Sequence, residues 1–533
     1  MTAADIVAAR LYAAGCRHAF GIPGGEVLTL IDALERAGIR FHLTKHENAA
    51  GFMAEGTWHM TGAPGVLVAT VGPGVANAFN VVANAEQDRV PLIVLSGMVD
   101  PAVALSYTHQ VFDHGAVFRE VCKASFQAAD GAVDVTMDKA LRTAMAGRPG
   151  PVHIDLPIKV AAADQPAPGP ARIAPTALGA PAGAGVAEAQ ALWQRAERPV
   201  VMAGLDVLNE PGGAAAVAAF VERHRVPLVT TYKAKGILPE GHPLSLGGHG
   251  LSPKSDKLVL PVLTGADCVI AAGYDPIEMR IGWRDPWDPA ACIEFAHAEN
   301  DHDMHHAAFS WVCSVAEGLA MLDLAGDPRP RWSAEATAHP RRALIDAFAP
   351  VGNWGPDHAI AEMLSVMPED AVTTADSGAH RILLSQHFYC QRPRALLQSS
   401  GLCTMGCALP LGLGAKIADP ARPVVTFQGD ACLEMVLGEF GTLRDSGLPL
   451  VVVVFVDRSL ALIELKQRRE GLQNRGVDFD RTDFAGLARL YGGHGVTVRG
   501  PGEAAPALEE ALSAQRFTVI EVEIPRRAYD GLI

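Results

Sequence analysis

The sequence has no excess of positive charge, no long apolar run and no pattern of a secretory leader. With 44 Lys and Arg against 59 Asp and Glu, its formal net charge is −15, which argues against nucleic acid or an anionic membrane as a partner. The longest apolar run, Leu448 to Val456, is too short to span a bilayer. Residues 1–20 have the pattern of an amphipathic helix with an early Asp5, whereas a secretory signal has a basic start and an apolar core.

Paired cysteines are also missing. The nine cysteines are an odd number, they are scattered, and no two of them form a C-x-x-C pair. This distribution argues against a disulfide framework and against a zinc site, and it predicts reduced thiols in a cytoplasmic protein.

The length of the chain, 533 residues, is too great for a single domain and predicts about three. We place the boundaries at 1–160, 186–345 and 355–533, because the Pro-, Ala- and Gly-rich stretch from Ala161 to about Gly185 is typical of an exposed linker. Within each region short apolar runs alternate with helical patterns, as in the strands expected at Pro199 to Ala203 and Cys268 to Ala272. Repeated βα alternation predicts an α/β fold of three doubly wound parallel-sheet domains.

Two strands of the third region end in an aspartate. Short β-branched runs lead into Asp430 and Asp457, and the segment between them, 434–446, has helical spacing. This pattern predicts a βαβ unit with parallel strands, so both aspartates would lie at the carboxyl edge of one sheet, where open α/β folds bind ligands. Gly429 and the small Ala431 would let backbone approach the ligand, and a helix N-terminus beside them suits a phosphate.

Two carboxylates would repel a phosphate unless a hard divalent cation lay between Asp430 and Asp457. Mg²⁺ or Ca²⁺ fits oxygen ligands of this kind. Alternatively, the segment is a plain Rossmann-like unit whose aspartates cap a turn.

The segment Gly429-Asp430-Ala431, followed by Asp457, resembles the diphosphate-binding signature of thiamine-diphosphate (ThDP) enzymes, usually written GDG and ending in Asn. Ala431 stands in place of the last glycine, and Asp457 keeps an oxygen ligand while adding a negative charge. In having an aspartate at this position, the segment resembles the catabolic acetolactate synthases. The resemblance implies ThDP as cofactor and Mg²⁺ held by Asp430, Asp457 and the backbone carbonyl of Ser459.

Glu47 is the main catalytic candidate of the first region. It follows a predicted strand and precedes a helix of small and apolar residues, a setting that disfavours the ionised carboxyl. A surface glutamate at a strand end is the alternative. Residues 45–50 (KHENAA) resemble the family motif whose glutamate hydrogen-bonds the aminopyrimidine of ThDP, so the resemblance implies that role for Glu47.

The loop from Tyr107 to His114 combines two histidines, a glutamine and an aspartate. Such a loop suits a site that handles a small carboxylate and moves protons, although a solvated loop with structural histidines fits equally. It resembles the VHQ-x-x-D loop of catabolic acetolactate synthases, which implies that His109 and Gln110 face the substrate. Further candidates for substrate contact are Gly24, Gly25, Glu26, His114 and Lys466, the last of which could instead lie in solvent.

Two more motifs follow the family order. Residues 71–77 (VGPGVAN) resemble the SGPG-x-x-N turn beneath the pyrimidine ring, and residues 403–406 (CTMG) resemble the G-T-M-G segment, in which Met405 would wedge under the cofactor. Core packing is the alternative for Met405. The cofactor-binding candidates are Glu47, Pro73, Asn77, Gly378, Ala379, His380, Cys403, Met405, Gly429, Asp430, Ala431, Cys432, Asp457, Ser459, Leu460 and Ala461.

The central region carries no G-x-G-x-x-G turn. Where anabolic acetohydroxyacid synthases hold FAD, residues 274–278 (YDPIE) are similar to the FAD-independent catabolic enzymes, so the resemblance implies that no flavin is bound. The His- and Asp-rich run 299–306 predicts a polar loop after a strand rather than a metal site.

The resemblance spans nearly the whole chain and implies ThDP- and Mg²⁺-dependent decarboxylation of a 2-oxo acid, pyruvate, with carboligation to a second carbonyl. A simple decarboxylase, an aldehyde lyase or carboligase, and a non-catalytic homologue are alternatives, although the last would be expected to lack Glu47 or Asp430. In the family the cofactor bridges two subunits, which implies a homodimer at minimum and commonly a homotetramer.

Overall fold

A computed structural model describes residues 1–324 and 331–533 and arranges them around three six-stranded sheets. Neighbouring strands are parallel in each sheet, and helices connect them. The predicted α/β class with three parallel sheets is therefore confirmed. The boundaries 1–160, 186–345 and 355–533 remain predictions, and residues 325–330 of the central region lie outside the described residues.

The first sheet has the strand order β2-β1-β3-β4-β6-β5. Its strands are β1 His18–Gly21, β2 Arg40–Leu43, β3 Gly65–Ala69, β4 Leu92–Met98, β5 Ala124–Gln127 and β6 Val152–Pro157. Its helices are α1 Ala3–Ala13, α2 Leu28–Arg36, α3 Glu47–Thr61, α4 Pro73–Gln87, α5 Pro101–Ala104, α6 His114–Phe118, α7 Val133–Met145 and α8 Ile158–Ala162, with a short 3-10 turn at Gly25–Val27.

The second sheet has the order β12-β11-β10-β7-β8-β9. Its strands are β7 Pro199–Ala203, β8 Leu228–Thr231, β9 Ser245–His249, β10 Cys268–Ala272, β11 Cys292–Ala296 and β12 Phe309–Val312. Its helices are α9 Val186–Arg195, α10 Asp206–Asn209, α11 Gly213–His224, α12 Pro253–Thr264, α13 Val315–Asp323 and α14 Ala334–Ala347, with 3-10 turns at Pro276–Glu278, Ile281–Trp283 and Pro289–Ala291.

The third sheet has the order β14-β13-β15-β16-β18-β17, which repeats the plan of the first. Its strands are β13 Val372–Ala375, β14 Leu396–Gln398, β15 Val424–Gly429, β16 Val451–Val456, β17 His494–Val498 and β18 Thr518–Glu523. Its helices are α15 Pro356–Ser365, α16 Ala379–His387, α17 Ala408–Ala418, α18 Asp430–Glu434, α19 Glu439–Ser446, α20 Ala461–Arg469, α21 Phe484–Leu490 and α22 Ala504–Ser513.

Two predicted elements differ from the structure. The strand before Glu47 ends at Leu43, and Glu47 is the first residue of α3, because the His46 side chain caps this helix by accepting the backbone N–H of Asn48. The helix expected over 434–446 is shorter in the structure, where α19 begins only at Glu439, and a separate short helix, α18, spans Asp430 to Glu434.

Ion pairs join the central region to the first. Asp275, which directly follows the buried Tyr274, accepts a hydrogen bond from Arg89 at 2.8 Å and lies 3.6 Å from Arg148. Because Asp275 is almost fully buried, the two guanidinium groups neutralise a carboxylate that would otherwise be costly to enclose. The segment 274–278 thus serves as a contact between two regions.

Helices α3 and α17 join the first and third regions through glycines. A Cβ atom added to Gly414 would lie 2.0 Å from the carbonyl oxygen of Met53, and one added to Gly56 would lie 2.3 Å from that of Leu411. The two backbones therefore touch directly, which only residues without a side chain permit. This contact fixes α3, and with it Glu47, against the third region.

We expect Gly414→Ala to destabilise the protein by about 1–3 kcal/mol, because the new methyl group overpacks a backbone contact. A loss of stability would be informative, because replacing glycine by alanine in a helix interior normally stabilises the helix by about 1 kcal/mol. Urea denaturation would measure the change. Gly441→Ala in α19 is the matched control, because the nearest neighbour of its Cβ would be the flexible Lys45 side chain, with Cε at 3.0 Å, and Tyr491 Cε1 would lie at an ordinary contact distance of 3.9 Å. A Gly414→Ala protein as stable as the wild type would contradict the close helix contact.

All nine cysteines are free thiols. Within the two described ranges, no helix combines the length and the apolar character needed to cross a membrane.

Candidate functional site

Asp430 and Asp457 lie side by side at the carboxyl edge of the third sheet. Strands β15 and β16 are parallel, with Gly429 paired to Phe455, and each aspartate comes directly after its strand. Asp430 Oδ2 accepts the backbone N–H groups of Asp457 and Arg458 at 3.1 and 2.7 Å. This arrangement turns the chain after β16 back toward the end of β15.

The two carboxylates are buried close together, with no ion pair to a basic side chain of the described residues. Asp430 is 4% exposed and Asp457 6%, and neither forms an ion pair within the described residues. Burial raises the pKa of Asp430 to about 6, and burial together with the charge of Asp430 raises the pKa of Asp457 to about 7. Asp457 Oδ2 is buried with no hydrogen-bond partner.

These residues fit a divalent metal ion. A cation between the carboxylates would remove their repulsion and give the orphaned Oδ2 of Asp457 a partner, and oxygen ligands suit Mg²⁺. Ser459, whose backbone carbonyl is the third predicted ligand, is buried next to them and donates its N–H to Asp457 Oδ1 at 3.2 Å.

A polar cradle beside the carboxylates fits a diphosphate. The ring of His380 lies between two glycines, since a Cβ on Gly378 or Gly429 would be 2.8 or 3.4 Å from its Cε1 atom. Burial and the nearby charge of Arg381 lower the pKa of His380 to about 3, so the ring is neutral at physiological pH. Its Nε2 atom is buried and has no partner, as expected of a group that binds a ligand.

A cavity of about 350 Å³ unites these groups. The predicted site residues that line it are Gly378, Ala379, His380, Cys403, Met405, Gly429, Asp430, Ala431, Cys432, Asp457, Ser459, Leu460, Ala461 and Lys466. Met405 is half-buried in this wall, so it is not a core residue. Lys466 on α20 is exposed at the cavity. The structure thus brings together candidates that are spread over nearly 90 positions of the sequence.

The loop that carries Met405 is held by buried polar contacts. Asp376 accepts the backbone N–H groups of Gly406 and Ala408, both at 2.9 Å. Cys403 has a left-handed backbone with φ of 55°, and its Sγ accepts a hydrogen bond from Arg381 at 3.3 Å. These bonds fix where Met405 enters the cavity.

Sequence reasoning missed several cavity residues, namely Ser377, Arg381, Phe455, Leu462, Ile463 and Tyr529. Arg381 is almost fully buried and also donates to the carbonyl of Ser399, so it ties α16 to the Met405 loop. Its position directly after His380 was the available signal. Tyr529 comes from the segment after β18, which carries no motif, so only the fold could place it.

A second cluster surrounds Glu47 in the first region. Glu47 is 4% exposed, and its Oε2 accepts a hydrogen bond from Asn77 Nδ2 at 3.0 Å. Asn77 lies one turn into α4, which begins at Pro73. The predicted cofactor residues Glu47, Pro73 and Asn77 are therefore close together. None of the three lines the Asp430 cavity of the same chain.

The predicted substrate residues of the first region lie around the same turn. Gln110 has a left-handed backbone, with φ of 62°, and a Cβ on Gly72 would lie 2.6 Å from its carbonyl oxygen. His109 is exposed in the same loop, whereas His114 is buried. Gly24, Gly25 and Glu26 follow β1, and Glu26 Oε2 accepts the hydroxyl of Thr70 at 2.8 Å.

The run 299–306 lies between β11 and β12, as predicted for a loop. Its His305 is buried and pairs with Glu294 at 2.6 Å, and His306 lies 2.8 Å from Asp285 at the surface. Each of these histidines therefore has a carboxylate partner.

Comparison with known proteins finds three thiamine pyrophosphate enzyme domains in the chain. Residues 1–117 match the N-terminal TPP binding domain, residues 186–322 the central domain and residues 376–522 the C-terminal TPP binding domain. The two matches named as TPP binding contain the Glu47 cluster and all residues of the Asp430 cavity except Tyr529.

The chain is also similar over most of its length to proteins named acetolactate synthase. The isozyme 1 large subunit of Escherichia coli (strain K12) is 31% identical over 484 residues, 87% of this chain and 83% of that protein. Acetolactate synthase of Bacillus subtilis (strain 168) is 28% identical, covering 98% and 93% of the two chains. The protein of Raoultella terrigena named "Acetolactate synthase, catabolic" is 27% identical, covering 98% and 95%.

Proposed function

The chain belongs to the thiamine-diphosphate-dependent acetolactate synthase family, and we propose that it decarboxylates pyruvate and joins the remaining two-carbon unit to a second pyruvate. The observation that carries this proposal is the pair of buried, unpaired carboxylates of Asp430 and Asp457 on a cavity with the neutral His380. Backbone N–H groups satisfy only part of this pair, since Asp457 Oδ2 is buried without a hydrogen-bond partner, and a magnesium diphosphate would satisfy both the carboxylates and the cradle.

The residues of the Asp430 cavity would bind the metal ion and the cofactor. Asp430, Asp457 and the carbonyl of Ser459 would hold Mg²⁺, and the backbone around Gly429 together with His380 would hold the diphosphate. Bound ThDP supplies the carbon nucleophile and the electron acceptor that decarboxylation of a 2-oxo acid requires. Met405 would orient the cofactor from the cavity wall.

Glu47 would act at the other end of the cofactor. Asn77 fixes its Oε2 atom, so the carboxyl group is held in one orientation and can exchange a proton with a ring nitrogen placed against it. Its burial excludes water from that exchange. His109 and Gln110 lie on the loop beside the same turn and would contact the 2-oxo acid.

Two copies of the chain would complete the site. The residues around the Asp430 cavity all come from the third region, and Glu47 of the same chain is not among them, so we infer that a partner subunit supplies Glu47. We infer a homodimer as the smallest active unit and a homotetramer as the assembled form.

The test is an assay of the purified protein with ThDP, Mg²⁺ and a panel of 2-oxo acids, without flavin, followed by mass spectrometry of the products. We expect pyruvate to give CO₂ and acetolactate, and we expect EDTA or the omission of ThDP to stop the reaction. Acetaldehyde as the sole product would identify a simple decarboxylase. A protein that forms no acetolactate from pyruvate would contradict the proposal.

The active protein is expected to work without FAD. Asp275 of the segment 274–278 is engaged by Arg89 and Arg148, so this segment is used to join two regions. Activity that appears only after FAD is added to the assay would contradict this expectation.

A further inference from the structure

A chain of hydrogen bonds, buried except at the exposed Ser125, crosses the first region behind the turn at Gly72. It runs through Ser125, His153, Ser96, Asp155, His114 and Gly72, with distances of 2.7, 2.6, 2.7, 2.7 and 3.3 Å between successive polar atoms. Ser125, Asp155 and His114 line a cleft of about 500 Å³ on the other side. His114 and His153 are at most 3% exposed.

The partner at one end determines the protonation of His114. The backbone N–H of Gly72 can only donate, so His114 Nε2 must be the acceptor and carries no proton. The proton of the neutral ring is therefore on Nδ1, which donates to Asp155 Oδ1 at 2.7 Å. Burial alone would raise the pKa of Asp155, but the hydrogen bond from His114 and the nearness of His153, 3.5 Å away, hold that pKa well below its usual range, so this carboxylate is ionised.

The remaining bonds follow from the charge of Asp155. An ionised carboxylate only accepts, so the Ser96 hydroxyl donates to it and in turn accepts from His153 Nε2. The other nitrogen of His153 accepts the hydroxyl of Ser125. Every nitrogen and hydroxyl of the chain is then satisfied, as buried polar networks require.

Three of these residues could in principle hold a metal ion, since one potential ligand atom each of His114, His153 and Asp155 lie within 4.8 Å of one another. The bonds described above already use both nitrogens of each histidine. His114 Nδ1 lies only 2.7 Å from Asp155 Oδ1, which is the distance of a direct hydrogen bond. The network therefore orders the backbone rather than binding an ion.

The group that the network orders is the Gly72 turn. Gly72 has a φ of 72° and is the residue before α4, the helix whose Asn77 holds the Glu47 carboxyl. Its α-carbon packs against the backbone of Gln110. The one hydrogen bond that His114 accepts from Gly72 therefore acts on two groups of the proposed site.

The geometry points to His114 as a positioning residue, which acts through the Gly72 turn on Glu47 and Gln110 and does not contact the substrate. This inference rests on the proposed function, because it assigns the turn to the same active site. It also replaces the direct substrate contact that the sequence suggested for His114, since both ring nitrogens have partners inside the protein.

Two substitutions test the contacts of the two imidazole nitrogens of His114 separately. In His114→Gln the amide oxygen stands near the place of Nε2 and can still accept the Gly72 N–H. In His114→Asn the amide nitrogen stands near the place of Nδ1 and can still donate to Asp155, but nothing reaches Gly72. We expect His114→Asn to lower kcat about tenfold to a hundredfold, as small misplacements of reacting groups do, and His114→Gln to restore it to within about threefold of the wild type.

Hydrogen exchange measured by mass spectrometry on the peptide around Gly72 gives a second readout that needs no turnover. We expect faster exchange in His114→Asn than in the wild type and in His114→Gln, while calorimetric binding of ThDP with Mg²⁺ stays within about threefold in all three, because the Asp430 cavity is separate. Equal exchange or equal kcat in the two variants would overturn the inference, as would stoichiometric zinc that is lost in His153→Ala. A wild-type protein inactive on pyruvate would count against the proposed function alone, because the exchange pattern still tests the contact with Gly72.

Discussion

Asp430→Ala is expected to weaken the binding of ThDP in the presence of Mg²⁺ by more than about a hundredfold. Even outer-shell partners of metal ligands are typically worth tenfold to a hundredfold in affinity, and Asp430 would be a ligand itself. Its carboxylate also accepts the N–H groups of Asp457 and Arg458, so its removal disturbs the turn that places the second ligand. Isothermal titration calorimetry with and without EDTA measures the effect.

Two further variants make this experiment specific. Asp457→Asn keeps an oxygen at the position that Ser459 bonds and is expected to retain binding within about tenfold. Asp419→Ala removes a partly exposed carboxylate of the same region whose one ion pair among the described residues is with Arg422, and this variant should bind as the wild type does. If Asp430→Ala bound the cofactor as tightly as Asp419→Ala, the metal site would be wrongly placed.

Glu47→Gln is expected to lower kcat for pyruvate by about a hundredfold or more, the usual cost of removing a positioned acid or base. The amide keeps the size of the side chain and can still bond Asn77, but it cannot exchange a proton. Binding of ThDP should change little, because the diphosphate end belongs to the Asp430 cavity. Glu120→Gln, at an exposed position of the same region, is the control, and full turnover of Glu47→Gln would reject the mechanism.

Mixing the two inactive variants tests where the complete site lies. If each site takes Glu47 from one subunit and Asp430 from the other, random dimers of Glu47→Gln and Asp430→Ala chains should recover about a quarter of the wild-type activity, because half of the dimers carry one intact site. Co-expression with two affinity tags would allow the mixed dimers to be purified, and these should keep about half of the wild-type activity. No recovered activity in purified mixed dimers would place the whole site within one chain.

The sequence predicted the sheets well where strands are buried on both faces. Strands β7 and β10 begin and end at the predicted residues, because continuous apolar runs between turn residues leave little choice of boundary. Strands β5 and β17 were not predicted. Both lie at sheet edges and contain polar residues, so their local pattern is that of a loop and only pairing with β6 and β18 makes them strands.

The candidate site was predictable where function depends on local sequence. Two short segments, Gly429 to Cys432 and Cys403 to Met405, could be recognised from the order of their residues alone. Residues of both segments line the cavity. Arg381 and Tyr529 could not be assigned, because their place depends on how distant segments pack. The role that we propose for His114 could not be predicted either, since nothing in the local sequence relates this residue to Asp155 and Gly72.

The glycine contact between α3 and α17 has a consequence for catalysis in the assembled protein. Glu47 begins α3, and Met405 lies just before α17, so one stiff crossed pair of helices carries both groups. In the proposed dimer these two groups would serve different coenzyme molecules. A displacement at one reaction centre would then be transmitted mechanically to the other, and the two centres of a dimer would not turn over independently.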